Sequence, residues 1–356
     1  MNPPGRILVF HTAFPGDIIP TLPVIEALRV KFPAARISVV VVPSASGVLQ
    51  HHPAVNDLIV YDKRGRNRGI RGALALMRRL RDERFDLAVV PHRSVRSAVI
   101  VRGAGIPRRI GFSTSALPFL FTDVIPYDRS AHEIRRNLDL VRPLGIVPDP
   151  NPLPRVYPGA AEQERVDALL KRLAQVQSSP IVALAPGSKW DTKRWPPEYY
   201  ARLGSMLTAR GLAVVLVGGT EDRELCERIA TAIGTAGVLD AAGKLSLLES
   251  AEMIRRSSVL VSNDSAPVHL GVAVGTPVLA LFGPTVRDFG FTPAGPKDEV
   301  IEMAGLACRP CRSKYLKRLN KHGGKACPIG TFVCMKEIAP EMVFGRVVAK
   351  IESLPR

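Results

Sequence analysis

Residues 259–285 read VLVSNDSAPVHLGVAVGTPVLALFGPT. Two short apolar runs, VLVSND (259–264) and VLALFGP (278–284), enclose a segment that turns at Asp264, Ser265 and Ala266 and enters a helix through Pro267. Proline suits a first helical turn, because the N–H it lacks has no partner there. Strand, helix, strand is the repeating unit of a parallel α/β sheet covered on both faces. Working back from it, IVALAPG (181–187) and AVVLVGG (213–219) are further strand-like runs ending in glycine. The first half repeats the pattern with ILVF (7–10), ISVVVVP (37–43), LIVY (58–61) and LAVVP (87–91), separated by helical periodicity such as VIEALRVKF. GAGIPRRIGF (103–112) is expected to carry one more strand.

Between the halves lies IVPDPNPLPRVYPG (146–159), with five prolines and no helical period, as a linker has. The expected organisation is two facing Rossmann-like domains with a cleft between them, residues 1–150 and 160–340. Residues 341–356 are expected to form a final helix crossing back to the first domain. Ligands of such sheets bind outside the carboxyl ends of the strands, so the loops there are where chemistry is sought.

A chain of 356 residues with 46% hydrophobic and 23% charged residues has ordinary globular composition. No apolar stretch reaches the roughly 18 residues that span a bilayer, and the apolar run near the amino terminus is too short for a secretory segment. A cytoplasmic protein is expected. The net charge of +17 points to an anionic partner. Residues 63–84, KRGRNRGIRGALALMRRLRDER, hold nine basic residues against Asp82 and Glu83, with Ile70, Leu74, Met77 and Leu80 at helical spacing. One face is expected to pack and the other to be a solvated cationic face or a surface for anionic lipid or phosphorylated glycan. Nucleic acid ranks behind these, since no aromatic interleaving or binding motif accompanies the charge.

In HTAFPGDIIPTLP (11–23), Asp17 reads either as the start of a helix or as a proton acceptor. In APGSKWDTKRWPPEYYARL (185–203), Ser188, Lys193 and Arg194 occupy a polar loop before a helix. A lysine there neutralises pyrophosphate and a hydroxyl donates to it. Backbone N–H groups at Ser265 and Ala266 favour an anion, and His269 lies one turn further on. Asp264 alone reads as a helix cap. Gly218 and Gly219 allow close approach of a ligand, with Glu221 or Asp222 placed to accept from ribose hydroxyls. No G-x-G-x-x-G or P-loop occurs, which argues against a dinucleotide dehydrogenase and a P-loop NTPase.

FPGDIIPTLPVIEALRVKFP, PHRSVRSAVIVRGAGIPRRIGF, PGSKWDTKRWP and NDSAPVHLGVAVGTPVLALFGPT together resemble the glycosyltransferase family 9 heptosyltransferases over nearly the whole chain. The resemblance implies a GT-B fold and an inverting, metal-independent transfer of heptose from ADP-heptose to the lipopolysaccharide inner core, with no cofactor required. It implies Asp17 as the base, and Ser188, Lys193, Asp264, Ser265 and Ala266 as donor contacts, with Glu221 and His269 added from the reading above. Family members often have glycine where this chain has Ala266. The acceptor the family uses, a Kdo–lipid A type glycan, is anionic and gives the basic first domain a partner at the inner face of the cytoplasmic membrane. Arg93 and Arg96 are the candidates for binding it. Another nucleotide sugar or acceptor, and a non-catalytic anionic lipid or glycan binder, are the alternatives.

Cys308, Cys311, Cys327 and Cys334 have spacing compatible with a structural zinc site, but the second pair is C-x6-C, wider than a usual knuckle. Free, partly buried thiols are the favoured reading, and no metal is assigned. Arg309 to Lys325 contain seven basic residues and no acidic one, a possible extension of the acceptor or membrane surface.

Overall fold

A computed structural model describes residues 3–171, 173, 179–234, 237–311 and 324–354. The chain divides into two units, Met1–Tyr157 and Pro158–Arg356.

The first unit carries β1 (Arg6–Phe10), β2 (Arg36–Val41), β3 (Asp57–Val60), β4 (Leu87–Val90), β5 (Arg108–Phe112) and β6 (Asp123–Ile125). Its helices are α1 (Pro15–Ile18), α2 (Leu22–Lys31), α3 (Pro43–Ser46), α4 (Gly69–Asp82), α5 (Val95–Gly103) and α6 (Glu133–Asp139). All strand pairs are parallel, in the order β3-β2-β1-β4-β5-β6.

The second unit carries β7 (Ile181–Ala185), β8 (Ala213–Leu216), β9 (Val238–Asp240), β10 (Val259–Asn263), β11 (Val278–Phe282) and β12 (Glu299–Glu302). Its helices are α7 (Ala160–Leu170), α8 (Pro197–Ala209), α9 (Arg223–Ile233), α10 (Leu247–Arg255), α11 (Ala266–Val274), α12 (Val333–Lys336) and α13 (Pro340–Glu352). The order β12-β11-β10-β7-β8-β9 is again fully parallel and, counted from β7, repeats that of the first unit. Each sheet thus reverses its winding beside its own first strand, at β1/β4 and at β7/β10. Such a switch point leaves a crevice at the strand ends.

Helices on both faces leave the central strands no wet side. β4, β10 and β11 are buried along their whole length, which is why the sequence shows continuous apolar runs rather than alternation. In the first unit one face packs Leu8, Phe10, Val40, Ala88 and Val90 under Leu76 and Leu80 of α4 and Ala98 and Val101 of α5.

Four expectations change. The stripe of α4 that packs is Ala73, Leu76, Met77 and Leu80, whereas Ile70 is 79% exposed and Leu74 41%. A helix of this length offers two apolar stripes, and only the neighbouring sheet selects between them. Pro43 starts α3 instead of ending a strand, since it has no N–H for a ladder. β6, β9 and β12 are short and carry acidic residues, so their strand pattern is faint in the sequence. The final helix belongs to the second unit, where the sequence suggested a return to the first. Val343 and Val347 are fully buried in the core that holds Val182 and Leu184, and α13 packs along α8.

Candidate active site

In the first unit the relevant loops leave β1 and β4 at the switch point. Asp17 is the third residue of α1, half-buried, in a turn whose N-cap is Phe14. Asp17 therefore does not occupy the N-cap position, and the N-cap residue makes no side-chain capping hydrogen bond. The turn is braced from below: the His11 ring meets the Thr21 hydroxyl at 2.9 Å, and Asn137 of α6 donates to the same hydroxyl at 3.3 Å. It is also held from the side, because Lys63 donates its Nζ to the Thr12 carbonyl at 2.5 Å and Arg64 stands 5.1 Å over the Phe14 ring.

His92, at the end of β4, meets the Thr12 hydroxyl at 3.1 Å and the Ser97 hydroxyl at 3.0 Å. Burial, then Lys63 and Arg93, push its pKa down to about 4. Burial, His92 and Lys63 hold His11 well below the usual range. Both rings are accordingly neutral near pH 7. Burial and the neighbouring Arg96 and Arg64 lower Lys63 in turn.

Arg93 and Arg96 lie on the other side of this crevice. The Arg93 guanidinium stacks 4.2 Å over Tyr127 and reaches the Thr114 hydroxyl at 3.5 Å. Arg96 is exposed in the first turn of α5, where a cation opposes the helix dipole. A cation in that position is costly without an anionic partner.

In the second unit the loops after β7, β8, β10 and β11 converge. Lys193 and Asp264 are 71 residues apart in sequence, yet Nζ and Oδ2 are 2.6 Å apart with both side chains 11% exposed. Thr285, at the end of the loop after β11, donates to the same Oδ2 at 2.6 Å. An ammonium has three protons, so the pairing leaves Lys193 donors for a phosphate.

Ser188 is buried beside them, and its carbonyl accepts from Arg194, which closes the loop on itself rather than projecting from it. The Ser265 hydroxyl donates to the carbonyls of Gly187 and Asn263, at 3.2 and 3.3 Å. That single proton is committed to protein carbonyls, and the backbone N–H groups of Ser265 and Ala266 lie at the start of α11. His269 is buried one turn in, edge-on to Phe291.

Three further residues organise this site: Asn263 and Thr285, which escape a reading of the sequence, and Asp222, which that reading assigns to ribose hydroxyls. Asn263, fully buried, accepts from the Trp195 N–H and Tyr200 hydroxyl and donates to the Pro186 carbonyl, joining β10, β7 and α8. Thr285 orients Asp264. Asp222 accepts the Gly219 N–H at 3.0 Å, and its carboxylate occupies the space a Cβ would need at Gly187 and at Gly218. Those glycines admit Asp222 rather than a ligand, and the Glu221 carboxylate lies likewise over Gly219 on an exposed turn. Their places just beyond the apolar runs of β10 and β11 are the local trace that Asn263 and Thr285 leave.

Burial holds the Asp222 carboxyl above its ordinary 3.8. Its folded pKa exceeds the unfolded one, so its contribution to stability is full below about pH 3.8 and is lost as pH rises through the folded value. Asp222→Asn keeps an acceptor for Gly219 without the charge. Its melting temperature should rise relative to the unsubstituted protein between pH 4 and pH 7; a constant difference by scanning fluorimetry would contradict this.

All five cysteines are free thiols. The Cys311 N–H donates to the Pro284 carbonyl at 3.0 Å, and Cys327 Sγ accepts the Phe332 N–H at 3.3 Å. Burial pushes Cys334 up to about 12, helped by the other three thiols of the segment. Among the described residues no three His, Cys, Asp or Glu side chains form a group that could hold a metal ion. Of the basic run Arg309–Lys325, residues 312–323 lie outside the described residues, and Arg309 is turned inward to Glu302 and the Thr285 carbonyl.

The profile of glycosyltransferase family 9 (heptosyltransferase) matches residues 73–322. Lipopolysaccharide heptosyltransferase 2 of Escherichia coli K12 is 29% identical over 307 residues, covering 84% of this chain and 88% of that protein. The crystal structure of a family 9 glycosyl transferase from Veillonella parvula superposes with a TM-score of 0.87 at 24% identity, covering 98% of both chains. The structure of E. coli ADP-heptose lps heptosyltransferase II does so at 0.78 and 26%, again over 98% of both. Two parallel six-stranded units of identical strand order are the GT-B fold. With the family profile spanning most of both units, the chain is a glycosyltransferase of the heptosyltransferase type and belongs to glycosyltransferase family 9.

Proposed function

We propose that the protein transfers heptose from ADP-heptose to the inner core of lipopolysaccharide, with inversion and without a metal ion. The observation that carries this reading is the Lys193–Asp264–Thr285 cluster at the start of α11. A departing nucleoside diphosphate develops negative charge, and the remaining Lys193 protons with the N–H groups of Ser265 and Ala266 supply positive charge to meet it. Ser188 adds a neighbouring hydroxyl, Glu221 accepts from the ribose, and Asp264 and His269 border the sugar. The relatives' names, heptosyltransferase and ADP-heptose, agree with this donor.

The first unit supplies the acceptor side. An acceptor hydroxyl is a weak nucleophile and must lose its proton as it attacks the anomeric carbon. Asp17 takes that proton, because the neutral His11 and His92 are committed to Thr21, Thr12 and Ser97. An aspartate is ionised at neutral pH without tuning. One attack opposite the leaving group inverts the centre. Arg93 and Arg96 bind the acidic groups of a Kdo–lipid A type acceptor, and the reaction belongs at the cytoplasmic face of the membrane.

The test incubates the protein in EDTA with that acceptor and ADP-heptose, or UDP- and GDP-sugars in its place. Gain of one heptose by mass spectrometry, from ADP-heptose alone and with inverted configuration by NMR, is expected. Transfer that needs an added divalent ion, or that prefers another donor, overturns the corresponding part.

A further inference from the structure

We infer that the outer face of the first unit formed by α4, α5 and the turn Pro118–Leu120 is a docking surface for an anionic lipid bilayer. The inference deepens the proposed function and rests on it for the choice of a bilayer over other anionic surfaces.

Three neighbouring elements present large apolar side chains to solvent. α4 packs beside α5, and α5 beside the turn, all on one layer over the first sheet. Ile70 and Leu74 stand one helical turn apart on α4, and Val95 and Val99 one turn apart on α5. Phe119 caps the row at 76% exposed, and Val95 is 52% exposed. An isolated exposed apolar residue needs no explanation; such residues gathered on adjoining elements do.

The charge around them is mostly positive, with Asp82 and Glu83 only at the far end of α4. Arg68, Arg71, Arg78, Arg96 and Arg102 are exposed and make no ion pair among the described residues, whereas Arg79 is paired with Glu83 and Arg81 donates to the Gly103 carbonyl. Apolar side chains flanked by unpaired arginines match the boundary of an anionic bilayer, where the rings and branched chains enter the acyl region and guanidinium groups meet phosphates. A second protein copy would bring the same positive charge to the face and be repelled. No helix among the described residues is long and apolar enough to cross a membrane, so contact by this face is a surface contact. Lys63, which donates to the Thr12 carbonyl beside the Asp17 turn, has Arg96 of α5 as a charged neighbour, so this face borders the proposed acceptor side.

The experiment is co-sedimentation of the full chain with phosphatidylglycerol vesicles and with phosphatidylcholine vesicles at low and high salt. The unsubstituted protein should pellet with the anionic vesicles and be released by salt. Ile70→Ser/Leu74→Ser/Phe119→Ser should weaken binding about tenfold or more, and Arg68→Gln/Arg71→Gln/Arg78→Gln about a hundredfold, with unchanged melting temperatures. Equal pelleting with phosphatidylcholine, no pelleting at low salt, or wild-type binding by both variants overturns the inference. Transfer to a delipidated acceptor is measured on all three proteins. Its absence in the unsubstituted protein tells against the proposed function, while intact transfer with lost pelleting differences tells against the surface alone.

Discussion

Asp17→Asn should lower kcat by roughly 10²- to 10⁴-fold, the usual worth of a positioned general base, while leaving the affinity for ADP within about twofold. The substitution keeps the shape of the side chain and removes its ability to take a proton. It leaves intact the braces of the turn that run through Thr12, Phe14 and Thr21. The helix-dipole interaction lost with an acidic group in the first turn is worth about 1 kcal/mol or less. A fall in kcat without a fall in melting temperature thus separates chemistry from folding. Turnover at the original rate would remove Asp17 as the base and return the carboxylate to a structural role.

Lys193→Met should weaken ADP binding by about two orders of magnitude and also destabilise the second unit. Removing one partner of a buried pair leaves the other charge uncompensated, at a cost of roughly 3–5 kcal/mol. Here the orphan is Asp264, which keeps only the Thr285 hydroxyl on the oxygen that met the lysine. The double variant Lys193→Met/Asp264→Leu no longer buries a lone charge and should recover most of that stability without recovering ADP affinity. Calorimetry with ADP and thermal unfolding on the single and double variants read the two effects apart. Unchanged ADP affinity in the single variant would show that the ion pair serves the fold and not the donor.

The second effect also shows where local reading reached its limit. Lys193 and Asp264 were both recognisable from their loops, each on its own terms, as a phosphate contact and as a helix cap or donor contact. Their pairing was not, because it depends on β7 and β10 lying side by side, with Val261 opposite Leu184 and Ser262 opposite Ala185. Thr285 joins them only because β11 is the next strand over. Ser265 shows the reverse: its position was legible, and the carbonyls that take its proton belong in part to a loop 78 residues away.

The helix of residues 69–82 makes the same point about packing. Its amphipathic character and positive charge are plain in the sequence, but two apolar stripes satisfy the same period. The sheet chose Leu76 and Leu80, and that choice left Ile70 and Leu74 outside among arginines. His92 and Lys63 are likewise ordinary residues in the chain and acquire a role only beside Thr12, 80 and 51 residues away.

By itself the sequence determined the alternation of buried strands and helices, the proline-rich junction between two units and the strand-end loops in which the proposed site lies. Each of these follows from short-range chemistry: apolar runs that must be buried on both faces, proline and glycine at turns, and acidic or hydroxyl residues at strand ends. Tertiary structure alone decided which strands adjoin, and therefore that Lys193, Asp264 and Thr285 share one oxygen, that Asp222 fills the space beside two glycines, and that α13 completes the second core. Those outcomes are set by contacts between residues tens of positions apart, whose free energies exist only once the sheets have formed, so no local pattern of residues encodes them.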